Sequence, residues 1–357
     1  MTDQSAVQLN EEVLHEFVGQ MLGDLGGAFS VALVRIGEQL GLYEALRDHG
    51  PMTAKELADK TRTAERYIRE WTAHQAASNY ISYDASSGKF TLPPEQAMVF
   101  ATDDSPVNLL GAFDLAVAML QGAPKVQEAF HTGEGVNWGD HSSCLFCSVA
   151  KFFRPGYGTH LVNEWLPALE GVTDKLGKGG VVADVGCGHG ISTALMAEAF
   201  PKAEFVGFDF HEDSIAHAND LAKQKGLNNL SFEVALAKNF PARNYDLVTM
   251  FDCLHDMGDP AGAAAHIRST MADDGTLMVV EPMAADNMEE NMNPVGRLFY
   301  GGSTLVCVPT SLAQEVGAAL GAQAGEAKLR EVISSGGFAT VRRATETPFN
   351  MILEARP

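Results

Sequence analysis

Basic residues are scarce in this chain. In 357 residues, 25 Lys and Arg stand against 46 Asp and Glu, a formal net charge of −21. Phosphate backbones are held by clustered Lys and Arg, so no nucleic-acid partner is expected. An anionic membrane surface would repel such a chain. Cysteine is sparse and odd in number: Cys144, Cys147, Cys187, Cys253 and Cys307. With no basic-then-apolar leader in the opening MTDQSAVQLNEE, that set points to a reducing cytoplasm. Long apolar runs are missing as well. The most apolar stretch near the N-terminus, Gly26 to Val34, stops at Arg35, short of the ~18 residues that a membrane-crossing helix needs, so no membrane partner is expected. What is plentiful is core-forming material: 46% hydrophobic residues with only 20% charged. At ~150 residues per domain the length suits two domains.

No repeat or low-complexity tract is present. Residues 10–48 read as helices. Thr53 and Glu56 then make a capping box opening the helix AKELADK. A second helix, ERYIREWTAHQAA, is followed by YISYD, a Ser-Ser-Gly turn and KFTL, a short hairpin. Helix, helix, hairpin is the order of a winged helix. Residues 95–170 are mostly helical, with an irregular piece at HTGEGVNWGDHSSC. Within it Cys144 and Cys147 form C-x-x-C, for which a zinc site would need two further ligands and His141 is the nearby candidate. Ordinary thiols on a helix turn are the plainer reading, a redox pair a third, and no metal is expected. After residue 180 strand-like and helical runs alternate: VVADV, ISTALMAEAF, AEFVGFDF, SIAHANDLAKQKG, SFEVAL, YDLVTMFDCL, AGAAAHIRSTM and GTLMVVEP. That alternation predicts a parallel sheet covered on both faces. GFATVRRATE and PFNMILEAR close it as an antiparallel hairpin. The expected division is a helical, winged-helix dimerisation domain at 1–95, a helical linker and pocket cap at 96–177, and a Rossmann-like α/β domain at 178–357 with a lid insertion at 283–320.

The strongest motif is Asp184-Val185-Gly186-Cys187-Gly188-His189-Gly190, between a strand and a helix. Glycines there permit a tight turn and close approach of a ligand to the backbone, beside free helix N–H groups. Asp209 ends the next strand, where an acid binds both hydroxyls of a ribose. The loop is G-x-G-x-G rather than G-x-G-x-x-G, and no Gly-Lys-Ser/Thr follows. The acid at Asp184 disfavours a pyrophosphate and suits a cationic ligand such as an aminoacyl-sulfonium.

Residues 180–282 resemble a class I S-adenosylmethionine-dependent methyltransferase, on VVADVGCGHG, FVGFDF, YDLVTMFDCLHDMGDP and DDGTLMVVEP in that order. The terminal hairpin fits that family's seven-stranded sheet. The resemblance implies S-adenosylmethionine as cofactor and S-adenosylhomocysteine as product. It places the methionine part at Gly186, Gly188 and Gly190, the ribose at Asp209 and the adenine near Phe210. The family's polar residue for the adenine amine is missing from Val234-Ala235-Leu236-Ala237-Lys238, so backbone at Ala237 or Lys238 is the candidate contact. The winged helix with Cys253-Leu254-His255-Asp256 resembles small-molecule O-methyltransferases and a group of actinobacterial winged-helix methyltransferases. In the former, that histidine takes the proton from a substrate hydroxyl.

That resemblance makes His255 the candidate general base, acting on a small-molecule methyl acceptor in a homodimer. Asp252 is a candidate for the cofactor's amino group and Asp256 for the acceptor pocket, with helix capping the plainer role of both. Tyr157 is a candidate cofactor contact. Trp138, His141, Arg297 and Tyr300 are candidate pocket residues, with Cys307 beside them on the lid. S- or N-methylation of a small thiol or amine is the second enzymatic reading. A DNA-binding regulator that senses S-adenosylmethionine is the reading from another class, resting on Arg62, Arg66 and Arg69. Against it, residues 1–100 hold 14 acids and eight bases.

Overall fold

The computed structural model describes residues 9–357. The chain divides into two compact units, with the boundary at Val117 and Ala118. That boundary falls inside a helix, within the expected linker and cap segment 96–177.

In the N-terminal unit, α1 (Glu11–Gln39) starts at Asn10, whose side chain accepts the N–H groups of Glu12 and Val13. Helices α2 (Leu42–His49), α3 (Ala54–Thr61) and α4 (Glu65–Ala77) follow, then the hairpin β1 (Ser82–Asp84) and β2 (Lys89–Thr91), and α5 (Pro94–Phe100). The capping box forms: Glu56 accepts the Thr53 N–H at 2.8 Å and Thr53 Oγ1 accepts the Glu56 N–H at 3.2 Å. Trp71 and Phe100 pack their rings on Tyr43 at 5.2 and 4.9 Å. The Tyr43 hydroxyl donates to Gln75 at 2.7 Å, which satisfies a fully buried polar pair. Gly37 is where α1 meets this core, since a Cβ there would lie 2.5 Å from the Trp71 ring.

One expectation is corrected here. An 18-residue window of the 29-residue α1 averages 1.4 in hydropathy and is only 11% buried, so the helix is long and apolar enough to cross a membrane. The sequence conceals this because glycines and single polar residues break the apolar residues into short groups, and the average is high without a continuous run. The helix leaves Val13, Phe17, Leu22, Leu25 and Phe29 exposed, while Ser30, Val34 and Gly37 are buried.

Helix α6 (Leu110–Thr132) carries the boundary. The C-terminal unit continues with α7 (Cys144–His160), which runs through a wider turn at Leu161–Trp165 into α8 (Leu166–Ala168), and then α9 (Val172–Lys178). The alternating part is β3 (Val181–Val185), α10 (Ile191–Ala199), β4 (Glu204–Asp209), α11 (Glu212–Lys225), β5 (Leu230–Val234), β6 (Tyr245–Phe251), α12 (Pro260–Thr270) and β7 (Met271–Pro282). Then come α13 (Pro294–Gly302), α14 (Val308–Leu312), α15 (Glu326–Ser335), β8 (Thr340–Glu346) and β9 (Asn350–Arg356). The seven strands lie in the order β5-β4-β3-β6-β7-β9-β8. The first five are parallel, and β9 runs antiparallel to β7 and β8. Apolar side chains leave both faces of the sheet: Val185, Phe208 and Val248 enter one core, Val182, Phe205 and Leu247 another. The sequence therefore encodes near-continuous apolar strands, as a sheet covered on both sides requires. Parallel order brings the carboxyl ends of β3, β4, β5, β6 and β7 to one edge, where such sheets hold ligands.

Candidate active site

The glycine loop leaves β3 with Gly186, Gly188 and Gly190 all at positive φ. Their roles differ. A Cβ on Gly190 would lie 2.4 Å from the Phe232 ring, and one on Gly186 2.7 Å from Cys253 Sγ, whereas one on Gly188 meets nothing within 4 Å. Gly186 and Gly190 are small because the chain packs against them. Gly188 is small where the loop faces open space. Asp209 fixes the loop, accepting the Gly188 N–H at 2.9 Å with one oxygen and the His211 N–H at 2.9 Å with the other. Burial raises its carboxyl above the usual range, against the lowering by those two N–H bonds.

Asp184 does not face a ligand, which corrects the expected contact with a cation. Its carboxylate is fully buried and accepts three hydroxyls: Thr193 at 2.6 Å, Ser192 at 2.8 Å and Thr249 at 3.0 Å. Burial pushes it up to about 6, although the hydroxyls pull the other way. It ties the start of α10 to β6 beneath the loop. The side chain of Lys238 is likewise engaged, its Nζ lying 3.0 Å from Asp259 and 3.1 Å from Glu315, so only its backbone is left for a ligand. Around Asp209 the chain exposes three apolar side chains, Phe210 at 46%, Val234 at 51% and Leu236 at 53%. They sit at and just beyond the ends of β4 and β5, where an open apolar surface suits a flat ring.

At the end of β6 the chain turns sharply. Asp252 holds φ at 49°, a left-handed conformation for a residue other than glycine. Its carboxylate accepts the Tyr157 hydroxyl at 2.7 Å and Asn350 Nδ2 at 2.9 Å. The structure thus joins two candidates 95 residues apart in sequence. Burial, then the Glu281 charge, push Asp252 up to about 7. Tyr157 stands on α7 among Phe153, Trp165 and Phe251.

His255 follows on a one-turn helix, Leu254–Asp256, and is 4% exposed. Its Nδ1 lies 2.5 Å from Glu281 Oε2, and Glu281 also accepts the Leu254 N–H at 3.0 Å. Its Nε2 lies 3.2 Å from Asp256 Oδ1. Burial alone would lower the imidazole, but the Glu281 and Asp256 charges outweigh it and hold His255 well above its ordinary value. Sequence reasoning missed Glu281. Its signal was a charged residue closing the apolar run LMVVEP, 1% exposed in the structure, since acids are almost never so buried without a partner.

The segment after β7 clasps this turn. Gln314 Nε2 donates to the Asp256 carbonyl at 2.9 Å, Ser311 Oγ to the Met257 carbonyl at 2.7 Å, and the Ala318 N–H to the Gly258 carbonyl at 2.8 Å. From Ser303–Cys307, a wide helical turn, Cys307 Sγ reaches the donor atoms of His255 and Asp256, the three lying within 4.8 Å of one another. Burial and then the Asp256 charge push the Cys307 thiol up to about 12. Arg297 is exposed and Tyr300 half-buried on α13. The other irregular segment is closer to the loop. His141 Nε2 meets Thr310 Oγ1 at 3.2 Å, and Trp138 packs its ring, tilted, against Phe146 at 5.4 Å, whose ring meets His211 at 4.5 Å. Trp138 and His141 therefore link α14 to the residue two places after Asp209. Cys144 and Cys147 are exposed, and His141 is turned to Thr310 rather than to them.

Residues 176–324 match the family model "Methyltransferase domain", and residues 28–102 match the "Rv2258c-like winged HTH domain". A ubiquinone biosynthesis O-methyltransferase of Methylococcus capsulatus is 34% identical over 123 residues, 33% of this chain and 49% of that protein. The chain spans about half the length of the curated relatives it matches. Human N-acetylserotonin methyltransferase, solved with S-adenosylmethionine, superposes with a TM-score of 0.68 at 17% identity, covering 99% of both chains. An O-methyltransferase family protein of Burkholderia thailandensis superposes with a TM-score of 0.70 at 13% identity, covering 95% of this chain and 97% of that one. At such identities the solved structures establish the shared fold. The matching family models make residues 176–324 a methyltransferase domain, which this chain joins to an N-terminal winged helix-turn-helix domain.

Proposed function

We propose that the protein transfers a methyl group from S-adenosylmethionine to a hydroxyl of a small molecule, with His255 as the general base. The observation that carries this reading is the pairing of His255 Nδ1 with Glu281 at 2.5 Å, which leaves Nε2 directed at the carboxylate of Asp256. Donation to Glu281 keeps the Nδ1 proton in place, fixes the tautomer and stabilises the imidazolium that forms. A hydroxyl set between Nε2 and Asp256 meets a proton acceptor. The lid bonds from Gln314 and Ser311 keep the turn in place and exclude water.

The residues present fit the cofactor. Open space above Gly188 admits a ligand against the backbone. Asp209 offers a carboxylate for two ribose hydroxyls, and Phe210, Val234 and Leu236 offer an apolar face for adenine. When bound, S-adenosylmethionine supplies a methyl group on a sulfonium, open to in-line attack. Asp252 and Tyr157 line the methionine end from the ends of β6 and α7. Calorimetric titration tests this directly: S-adenosylhomocysteine binds the wild type, and Asp209→Ala loses that binding. Equal binding to both sinks the assignment.

The raised His255 favours a second reading. An imidazolium at neutral pH pairs with a thiolate, which needs no base, so methylation of a thiol is the alternative. The two diverge with pH. Hydroxyl transfer rises as His255 loses its proton, and thiolate transfer falls.

The N-terminal unit supports association of two copies rather than DNA reading. On α4, Arg66 pairs with Glu70 at 2.5 Å and Arg69 with Glu65 at 2.5 Å, so both cations are matched by acids. The apolar side of α1, with Phe17, Leu22, Leu25 and Phe29 exposed, suits the same side of a second copy. The burial of Val34 and Gly37 holds the far end of α1 in its own unit. Light scattering after size-exclusion chromatography tests this, and a monomer at micromolar concentration contradicts it.

A further inference from the structure

We propose that His255, Asp256 and Cys307 form a binding site for a borderline-soft divalent ion, zinc before others, at the acceptor end of the catalytic pocket. Nε2 of His255, a carboxylate oxygen of Asp256 and Sγ of Cys307 lie within 4.8 Å of one another, and among the described residues no other group of three or more His, Cys, Asp or Glu donors converges so closely. A tetrahedral ion with bonds of about 2.0–2.3 Å draws such donors closer together, and each of these side chains has rotatable bonds to follow it.

Two further observations point to a cation. His255 holds its Nδ1 against Glu281 at 2.5 Å, the carboxylate–histidine arrangement that turns Nε2 outward in metal sites. Asp256 Oδ1 is buried 3.2 Å from Nε2. The buried carboxylate thus shares its surroundings with Nε2 and with Cys307 Sγ, and a cation at the convergence point takes the place of the protons these groups hold against it.

The donor set selects the ion. One imidazole, one thiolate and one carboxylate suit zinc or cobalt, whereas magnesium and calcium take oxygen ligands and keep their water. On binding, the Cys307 thiol and the His255 imidazolium each release a proton to solvent, and the sulfur–metal and Nε2–metal bonds replace the S–H and N–H bonds. No electron is transferred. A water completes the fourth position. The ligands come from two segments, the turn after β6 and the wide turn before α14, so the ion fastens the lid to the turn. It also takes the Nε2 lone pair. On the reading of His255 as base, zinc therefore inhibits competitively with the methyl acceptor and not with S-adenosylmethionine.

The test uses the full chain in a Cys144→Ser/Cys147→Ser background, which removes the exposed C-x-x-C pair, kept reduced by a phosphine. Cobalt(II) alone is titrated and absorption followed. Expected is one equivalent with a thiolate-to-cobalt charge-transfer band, displaced by zinc. Cys307→Ala abolishes the band, and Asp256→Asn weakens binding by tenfold or more. Circular dichroism and S-adenosylhomocysteine binding confirm that each variant is folded. Absence of the band in the parent, or its persistence in folded Cys307→Ala, overturns the site. A second arm measures methyl transfer with zinc added. A cobalt band without zinc inhibition upholds the site and removes His255 as the base, so the two failures are told apart.

Discussion

Glu281→Gln gives the sharpest perturbation of the proposed chemistry. The amide keeps the size of the side chain and one acceptor oxygen, which serves either the Nδ1 proton or the Leu254 N–H, since Glu281 meets the two with different oxygens, and it removes one of the two charges that raise His255. The pair lies 2.5 Å apart and is buried, so the lost attraction is poorly screened by solvent. The imidazole of the variant therefore falls from its raised position toward the ordinary range. The sign follows from the charge. Glu281 favours the imidazolium, so its loss lets His255 give up its proton at lower pH. In kcat/KM against pH, the acidic limb of the wild type lies well above 6.5 and moves down in the variant. The plateau also drops, by about 10²-fold or more, because the imidazolium formed during transfer has lost its counter-charge. Steady-state kinetics from pH 5 to 10, with any accepted hydroxyl substrate, reads both quantities. An unmoved acidic limb refutes the coupling, and a limb that moves up refutes the sign.

Other expectations follow from the same geometry. Gly188→Ala adds a methyl group to open space at φ 51°, so the variant folds at a strain of about 1–2 kcal/mol, and S-adenosylhomocysteine binding weakens by tenfold or more in calorimetry. Gly190→Ala drives a Cβ to 2.4 Å from the Phe232 ring. It therefore costs stability first, about 1–3 kcal/mol beyond the backbone strain, read as a lower midpoint in denaturant. Burial holds Asp252 up to about 7, so below that pH the folded chain binds a proton that the unfolded chain does not. The Asp252 contribution to stability therefore grows as pH falls from about 7 toward the usual carboxylate range, and ionisation above about 7 costs stability. Asp252→Asn removes this slope, and thermal melts between pH 5 and 8 show the variant gaining on the wild type as pH rises. Leu22→Glu combined with Leu25→Glu, on the exposed side of α1, yields a monomer in light scattering without lowering S-adenosylhomocysteine affinity.

Where chemistry and chain neighbourhood coincide, the residues announced themselves. The loop Asp184 to Gly190, the acid Asp209 and the segment Cys253 to Asp256 each lie within a few positions of a strand end, so their alternation and spacing placed them on one edge of the sheet. The Thr53–Glu56 capping box is local in the same sense. Roles set by distant partners were not legible. Asp184 reads as a ligand contact until Ser192, Thr193 and Thr249 are seen converging on it. Glu281 stands 26 positions from His255, and only parallel pairing of β6 with β7 brings the two strand ends together. The lid could be marked as a long interruption, but which of its residues reaches the turn was decided by the wide turn at Ser303–Cys307, which no periodicity foretells. The amphipathic reach of α1 was hidden for the opposite reason: its apolar residues are spread along 29 positions rather than gathered in a run.

The most direct measurement is turnover by His255→Ala beside wild type, reading S-adenosylhomocysteine release with a panel of hydroxyl, thiol and amine acceptors. S-adenosylhomocysteine affinity is measured on both proteins to show the cofactor site intact. The account predicts release with a hydroxyl acceptor in the wild type, a fall of about 10²-fold or more in His255→Ala, and equal affinity in the two. Equal turnover in the two proteins on that hydroxyl acceptor contradicts it.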